Sequence, residues 1–534
     1  MLLILSNPIP CFFPFQNPNH KKPCKTNTSM PVSKKASKRI TPRDYWALLF
    51  GLLLLVFLGQ GMASQVELSH ILAGILGILL VSTFLIRKFS PDSKTWYIFS
   101  MWETNRFNRY FDCFKDSKWL EWMAEIGAVL GFGAIAVDYF WGRKLNSQWK
   151  RWLLFIITIV VLGGLFGFFL GNNLTNNPLV TGPLIAYQFF FGLFGFSGFI
   201  LLALFFQGID GIEKILAGKQ ACPGIAPIIP GVQTPNVPIF VPIEAWISLI
   251  AILFIHEGAH GFLARRHKLK IKGSGLLVAG FLPIGAFVKP DEKKMEKMEK
   301  KKQIHILSAG PTANLFSFFV IGILSLLVMQ FVVSPLVSPA FTEIQENSSI
   351  GVKISDVDQN FTVCGEFFES PAYGQIDANT NLLAVNDQNV SNLAATLQLL
   401  TVENQGKPKT LLLEKDGIVF EKTLSPNALG RIGIHVEAIP NPDYTPPQDL
   451  VLFAQLFQII SSIVFWFVVL SLLVAIANFL PVNPLDGGKI AQYMITPYLG
   501  FLHMSEKETE KLVGRIFIWI LLPLIIANVL PIGL

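Results

Sequence analysis

The sequence predicts a polytopic α-helical membrane protein of about nine transmembrane helices with an inserted β-rich domain. Three observations lead there. Of 534 residues, 51% are hydrophobic and 15% charged, whereas a soluble chain carries about 25% charged residues; mean hydropathy is +0.49. Apolar runs close to the roughly 20-residue length of a spanning helix recur along most of the chain. A single polar block, residues 341–447, interrupts them.

In chain order, the expected spans are Trp46–Met62, His70–Ile86, Glu125–Trp141, Trp152–Leu170, Leu184–Phe206, Glu244–Leu263, Ile304–Val333, Val451–Leu480 and Leu512–Leu534. Residues 1–45 read as a basic, disordered tail, with a basic stretch at Ser33–Arg39 and Met30 as an alternative start. Residues 46–207 form an N-terminal set of helices, 208–340 and 448–534 two parts of a membrane core, and 341–447 a domain of about a hundred residues, an ordinary domain size. Within the core, 208–242 holds Pro223, Pro227, Pro230, Pro235, Pro238 and Pro242, too many for a helix; short strands or a hairpin at the membrane face are expected instead. Residues 272–290 are apolar but rich in glycine, and irregular backbone at membrane depth needs protein or a water-filled cavity beside it.

Lysine and arginine sit in the loops flanking spans, so the net charge of +7 reflects orientation rather than nucleic acid, for which no motif is present. A basic N-terminus is expected in the cytoplasm and the polar block outside. The loop Gly142–Arg151, with Arg143, Lys144, Lys150 and Arg151, falls on the wrong side of that assignment. The five scattered cysteines suggest neither a disulfide framework nor a cysteine metal site.

The sharpest chemical signal is His256-Glu257-Gly258-Ala259-His260, inside an apolar helix. Positions i and i+4 share a helix face, so both imidazoles can reach one ion, and Glu257 stands where a general base is needed. Polar groups of this kind are costly in an apolar span and call for a function. Catalytic zinc takes three protein ligands, and the third is not local: His267 reads as a solvated loop residue and His305 as an interface residue. Asp486, in the helix break Leu480-Pro481-Val482-Asn483-Pro484-Leu485-Asp486-Gly487-Gly488, is the better candidate, with an N-cap as its other reading. Glu125 and Asp138 read as interface residues or as part of a polar path. A scaffold or transporter remains the competing class, although no pair of interrupted helices in two halves is visible in the sequence.

Taken in order, HEGAH, Ser308-Ala309-Gly310-Pro311-Thr312-Ala313-Asn314 and Asn478-x-x-Pro-x-x-Pro-Leu-Asp-Gly-Gly resemble the site-2 protease family of intramembrane zinc metalloproteases, over about residues 208–534. Gly285–Asp291 resembles the branch containing archaeal members and the sterol-pathway protease. The resemblance implies Zn2+ held by His256, His260 and Asp486, with Glu257 as base and Asn314 and Asn478 at the active site; Asn314 also reads as a helix–helix hydrogen bond. It further implies transmembrane protein substrates in a lipid bilayer, regulated intramembrane proteolysis and a prokaryotic, archaeal-like cell membrane. The polar block resembles a PDZ domain through Ser370–Ile376 and Leu382–Val390, with Leu393–Leu400 as its peptide-flanking helix. Thr380-Asn381 replaces the usual Gly-Asp and no carboxylate-binding loop is evident, so peptide capture and a size-excluding lid are both open readings. Neither substrate identity nor oligomeric state can be read from the sequence.

Overall fold

The structure, a computed structural model, describes residues 49–532 apart from 51–67, 90–93, 97, 105, 170–177, 220, 227, 234–236, 238, 281, 364–365, 391 and 401–406. The basic tail, Met30 and most of the expected span Trp46–Met62 lie outside the described residues. Nine helices organise the rest: α1 (Leu68–Phe89), α2 (Trp119–Phe140), α3 (Gln148–Phe169), α4 (Pro178–Leu216), α5 (Ala245–Arg266), α6 (Lys300–Val328), α7 (Gln448–Asn478), α8 (Asp486–Ile495) and α9 (Glu506–Val529). Seven described helices, α2 to α7 and α9, are long and apolar enough to cross a membrane. The hydropathy expectation is about nine; α1 covers one further expected span, His70–Ile86. The fold is a polytopic helical protein with a β domain.

The described chain forms two compact units, one of residues up to Trp122 with Leu253–Ile306, the other of Met123–Ile252 with Leu307 onward. In the first unit, β1 (Lys94–Trp96), β2 (Phe99–Thr104), β3 (Ile271–Ala279) and β4 (Leu282–Pro290) form an antiparallel sheet in that order. Residues 272–290, expected as irregular backbone, are therefore a strand hairpin. The apolar segment satisfies its backbone by pairing, and Gly275 lets Trp102 approach to where a Cβ would meet its carbonyl oxygen. The end of α5 is fastened to the segment before α2 and to the first turn of α2. Phe111 and Phe114 pack edge-on against Phe262, while Arg265 pairs with Asp112 at 3.0 Å and Arg266 with Glu121 at 2.9 Å.

In the second unit, α2 and α4 are each broken at a glycine, Gly133 (φ 57°) and Gly195 (φ 59°). A Cβ on Gly133 would meet Gly192 O at 2.6 Å, and one on Gly195 would meet Leu130 O at 2.2 Å. The two helices thus cross backbone to backbone at their breaks, a pair of interrupted helices that the sequence reading did not reveal. Earlier in α2, Gly127 and Gly131 place the helix flush against its neighbours: their Cβ atoms would fall 1.6 Å from Thr312 Oγ1 and 2.3 Å from Phe479 Cδ1. Small residues four apart allow such close helix approach in membranes. Ser308 Oγ, on α6, donates to Ala124 O at 3.0 Å.

Residues 208–242 also depart from expectation. Helix α4 runs on to Leu216, and 221–242 shows no strand among its described residues.

The β domain lies in the second unit. Strands β5 (Ser349–Val357), β6 (Asn360–Val363), β7 (Glu366–Glu369), β8 (Thr380–Val385), β9 (Gln388–Asn389), β10 (Lys409–Lys415), β11 (Ile418–Leu424) and β12 (Ile434–Pro440) occupy the expected block. Their main sheet has the order β11-β10-β8-β5-β12, with β9 on β8 and β6-β7 as a separate hairpin. Inward-facing Ile354, Leu382, Leu411 and Leu413 form a buried core that also includes Leu399 and Leu400. The short helix Leu393–Gln398 is capped by Asn392, whose side chain accepts from Ala395 N at 2.9 Å.

Candidate metal centre

Helix α5 carries the histidine pair into apolar surroundings. His256 is 6% exposed, and its ring lies edge-on to that of His260 at 4.9 Å between centroids, as expected for residues one turn apart. His260 Nδ1 is 2.7 Å from Ile306 O on α6. A carbonyl can only accept, so the proton sits on Nδ1 and Nε2 keeps its lone pair for a metal, the usual arrangement for a ligating histidine. Glu257, between them, accepts from Val288 N of β4 at 2.9 Å. This ladder-edge N–H orients the carboxylate.

Asp486 opens α8. Its N-cap is Leu485, so the capping role allowed by the sequence is not the one Asp486 takes. Gly487 and Gly488 sit directly on the preceding turn: Cβ atoms there would lie 2.5 Å from Leu480 O and from Asn483 N. The Pro-Val-Asn-Pro break and the two glycines fold the chain back tightly enough to start a helix on Asp486.

Two imidazoles one turn apart on α5 offer a metal ion two nitrogen donors, and Asp486, in the other unit, is the carboxylate that the sequence resemblance pairs with them. Two imidazoles and one carboxylate form a donor set suited to zinc.

Asn314 is fully buried on α6. Asn478 ends α7, with Nδ2 donating to Val474 O at 2.9 Å, one turn back on its own helix. Neither His267 nor His305 is solvated. His267 Nε2 and His305 Nδ1 are 3.2 Å apart, the rings stack at 5.3 Å, and His305 is 3% exposed. Burial first, and the neighbouring His305 second, push His267 down to about 4. Asp138 is also buried, at 3% exposure; Arg151 donates to it from Nε and Nη2, both at 2.6 Å, and Tyr498 donates from its hydroxyl. The glycine pair 127/131 is the one signal in the sequence that could have shown α2 packing against the chemistry-bearing helices.

Residues 244–524 match the family described as Peptidase family M50. The chain is also 29% identical over 242 residues to an uncharacterized protein of Methanocaldococcus jannaschii. That alignment covers 45% of this chain and 54% of the relative, so the chain spans about half the length of the curated relative it matches.

Proposed function

From the premise that the chain belongs to peptidase family M50, we propose that it is a zinc-dependent intramembrane endoprotease, cutting peptide bonds in or near transmembrane segments of membrane proteins. The observation that carries the reading is the histidine pair of α5 around Glu257, with Asp486 as the third donor that the sequence resemblance assigns. His256, His260 and Asp486 hold the ion. When bound, zinc supplies a Lewis acid that polarises a carbonyl and acidifies water. Glu257 accepts the proton, held in place by Val288 N–H, and passes it to the leaving amine. Asn314 and Asn478 orient substrate or transition-state oxygens; Asn478 can do so with the second N–H of Nδ2 while the first is donated to Val474 O.

The PDZ-like domain selects substrates, and the role of the whole protein is regulated intramembrane proteolysis in an archaeal-like cell membrane. Its N-terminus is cytoplasmic and the β domain outside. The test is cleavage of a single-span substrate by the purified protein in liposomes, with zinc measured on the same sample. Full-length zinc-loaded protein that leaves a helix-destabilised substrate intact would remove the protease reading.

A further inference from the structure

The geometry points to Asp138 as a positioning residue for Asp486, acting through Tyr498. The inference rests on the reading of Asp486 as a metal ligand.

Helix α8 is ten residues long and Asp486 is its first, so the direction of the carboxylate follows the tilt of the whole helix. A metal ligand must be held within about half an ångström of its working position, and an isolated helix of this length is marginal on its own. Neighbours set the tilt at three levels. At the N-terminal end, Gly487 and Gly488 rest on the backbone of the preceding turn. In the middle, Gln492 lies against Gly514 of α9, where a Cβ would come within 2.4 Å of Nε2. At the far end, the 3-10 turn Thr496–Leu502 continues α8 and carries Tyr498, whose hydroxyl donates to Asp138 Oδ2.

That last tie is unlike the other two because it is charged. Asp138 is 3% exposed and held bidentately by Arg151, a geometry that fixes the acceptor oxygens in space. Arg151 also lies over the Tyr498 ring at 5.9 Å. The tyrosine is therefore gripped by its oxygen and by its face. A buried ion pair is costly in lipid and weak evidence for stability as such, and α2 and α3 are already joined by a short connection. The pair gains its value from presenting a fixed acceptor to Tyr498. Asp138 and Arg151 both precede residues 244–524, the part that matches the family, so helices outside that part orient a ligand within it.

The test uses the full-length protein in detergent. Zinc affinity is measured by competition with a chromophoric chelator for wild type, Tyr498→Phe, Asp138→Asn and the double variant, and the thermal midpoint of each is measured without metal. The expected result is about tenfold weaker zinc binding in each single variant, at the low end for residues behind a metal ligand. The double variant should be no weaker than the worse single one, because both act on one path. Tyr498→Phe removes one oxygen and keeps the ring, so it tests the tie even if Asp138→Asn, which strands Arg151, fails to fold. Unchanged zinc affinity in Tyr498→Phe, with or without a lower midpoint, would overturn the inference, as would additive losses. A wild type that takes up no zinc would instead sink the metal centre itself, and this inference with it.

Discussion

Val288 N–H donates to Glu257 Oε2 at 2.9 Å, so the proposed base is attached to an edge strand of the four-stranded sheet. This contact makes the glutamate an aimed group rather than a mobile one.

Glu257→Gln is expected to lower turnover by about 10²–10⁴-fold, the usual worth of a general base, while zinc stays bound. The amide oxygen can still accept from Val288 N–H, so packing should survive. Turnover and zinc content, measured side by side with wild type in the same liposomes, decide it. Near-normal turnover would remove Glu257 from its role.

Alanine at His256, His260 or Asp486 is expected to reduce bound zinc from about one per chain, the three-ligand expectation, to a small fraction. Elemental analysis after gel filtration measures this. Full zinc and full activity in Asp486→Ala would show that the third donor lies elsewhere.

Excision of residues 341–447, with a flexible linker in their place, is expected to leave zinc binding intact and to change which substrates are cut. The block contributes none of the proposed ligands. Loss of metal on excision would overturn this separation of roles.

Gly131→Leu is expected to destabilise the fold by about 1–3 kcal/mol, as overpacking usually does, because Phe479 already fills that space. Gly164→Leu serves as the control: nothing lies within 4 Å of a Cβ there. Equal thermal midpoints for the two variants would contradict the close packing of α2.

Stability should fall as pH drops from about 6.5 toward about 4, and His267 should carry part of the loss. Its folded value is about 4 against 6.5 for an ordinary histidine. The unfolded chain therefore binds more protons across that window, which favours unfolding as pH falls. Glu121 opposes the shift, while His305, Lys302 and Arg266 reinforce it. Thermal midpoints from pH 7.5 to 4.5 should decline less steeply in His267→Gln than in wild type. Parallel slopes would exclude His267 as a contributor.

Much of this site was legible in the sequence because its chemistry is local. HEGAH sits on a helix where i and i+4 must meet, and Asp486 sits at a break marked by proline and glycine. The β domain announced itself by polarity, and Thr380–Val385 and Lys409–Lys415 are strands where short apolar runs stood. Long-range partnership left no such mark. Asp138 and Tyr498 are 360 residues apart, and His267 and His305 find each other only after a hairpin intervenes. Hydropathy could not tell the β3–β4 strands from an irregular membrane segment, since both are short, apolar and glycine-rich. Nor could it see the breaks at Gly133 and Gly195, because a glycine inside an apolar run is equally compatible with an unbroken helix.

The Asp138–Arg151 pair also bears on the order of biosynthesis. Its partners are 13 residues apart, on two helices joined tip to tip, so the pair can close as soon as that hairpin has left the translocation machinery. Tyr498 is still hundreds of residues from being translated. The receptor for the end of α8 is therefore complete before α8 exists, and the last part of the chain arrives at a socket already formed.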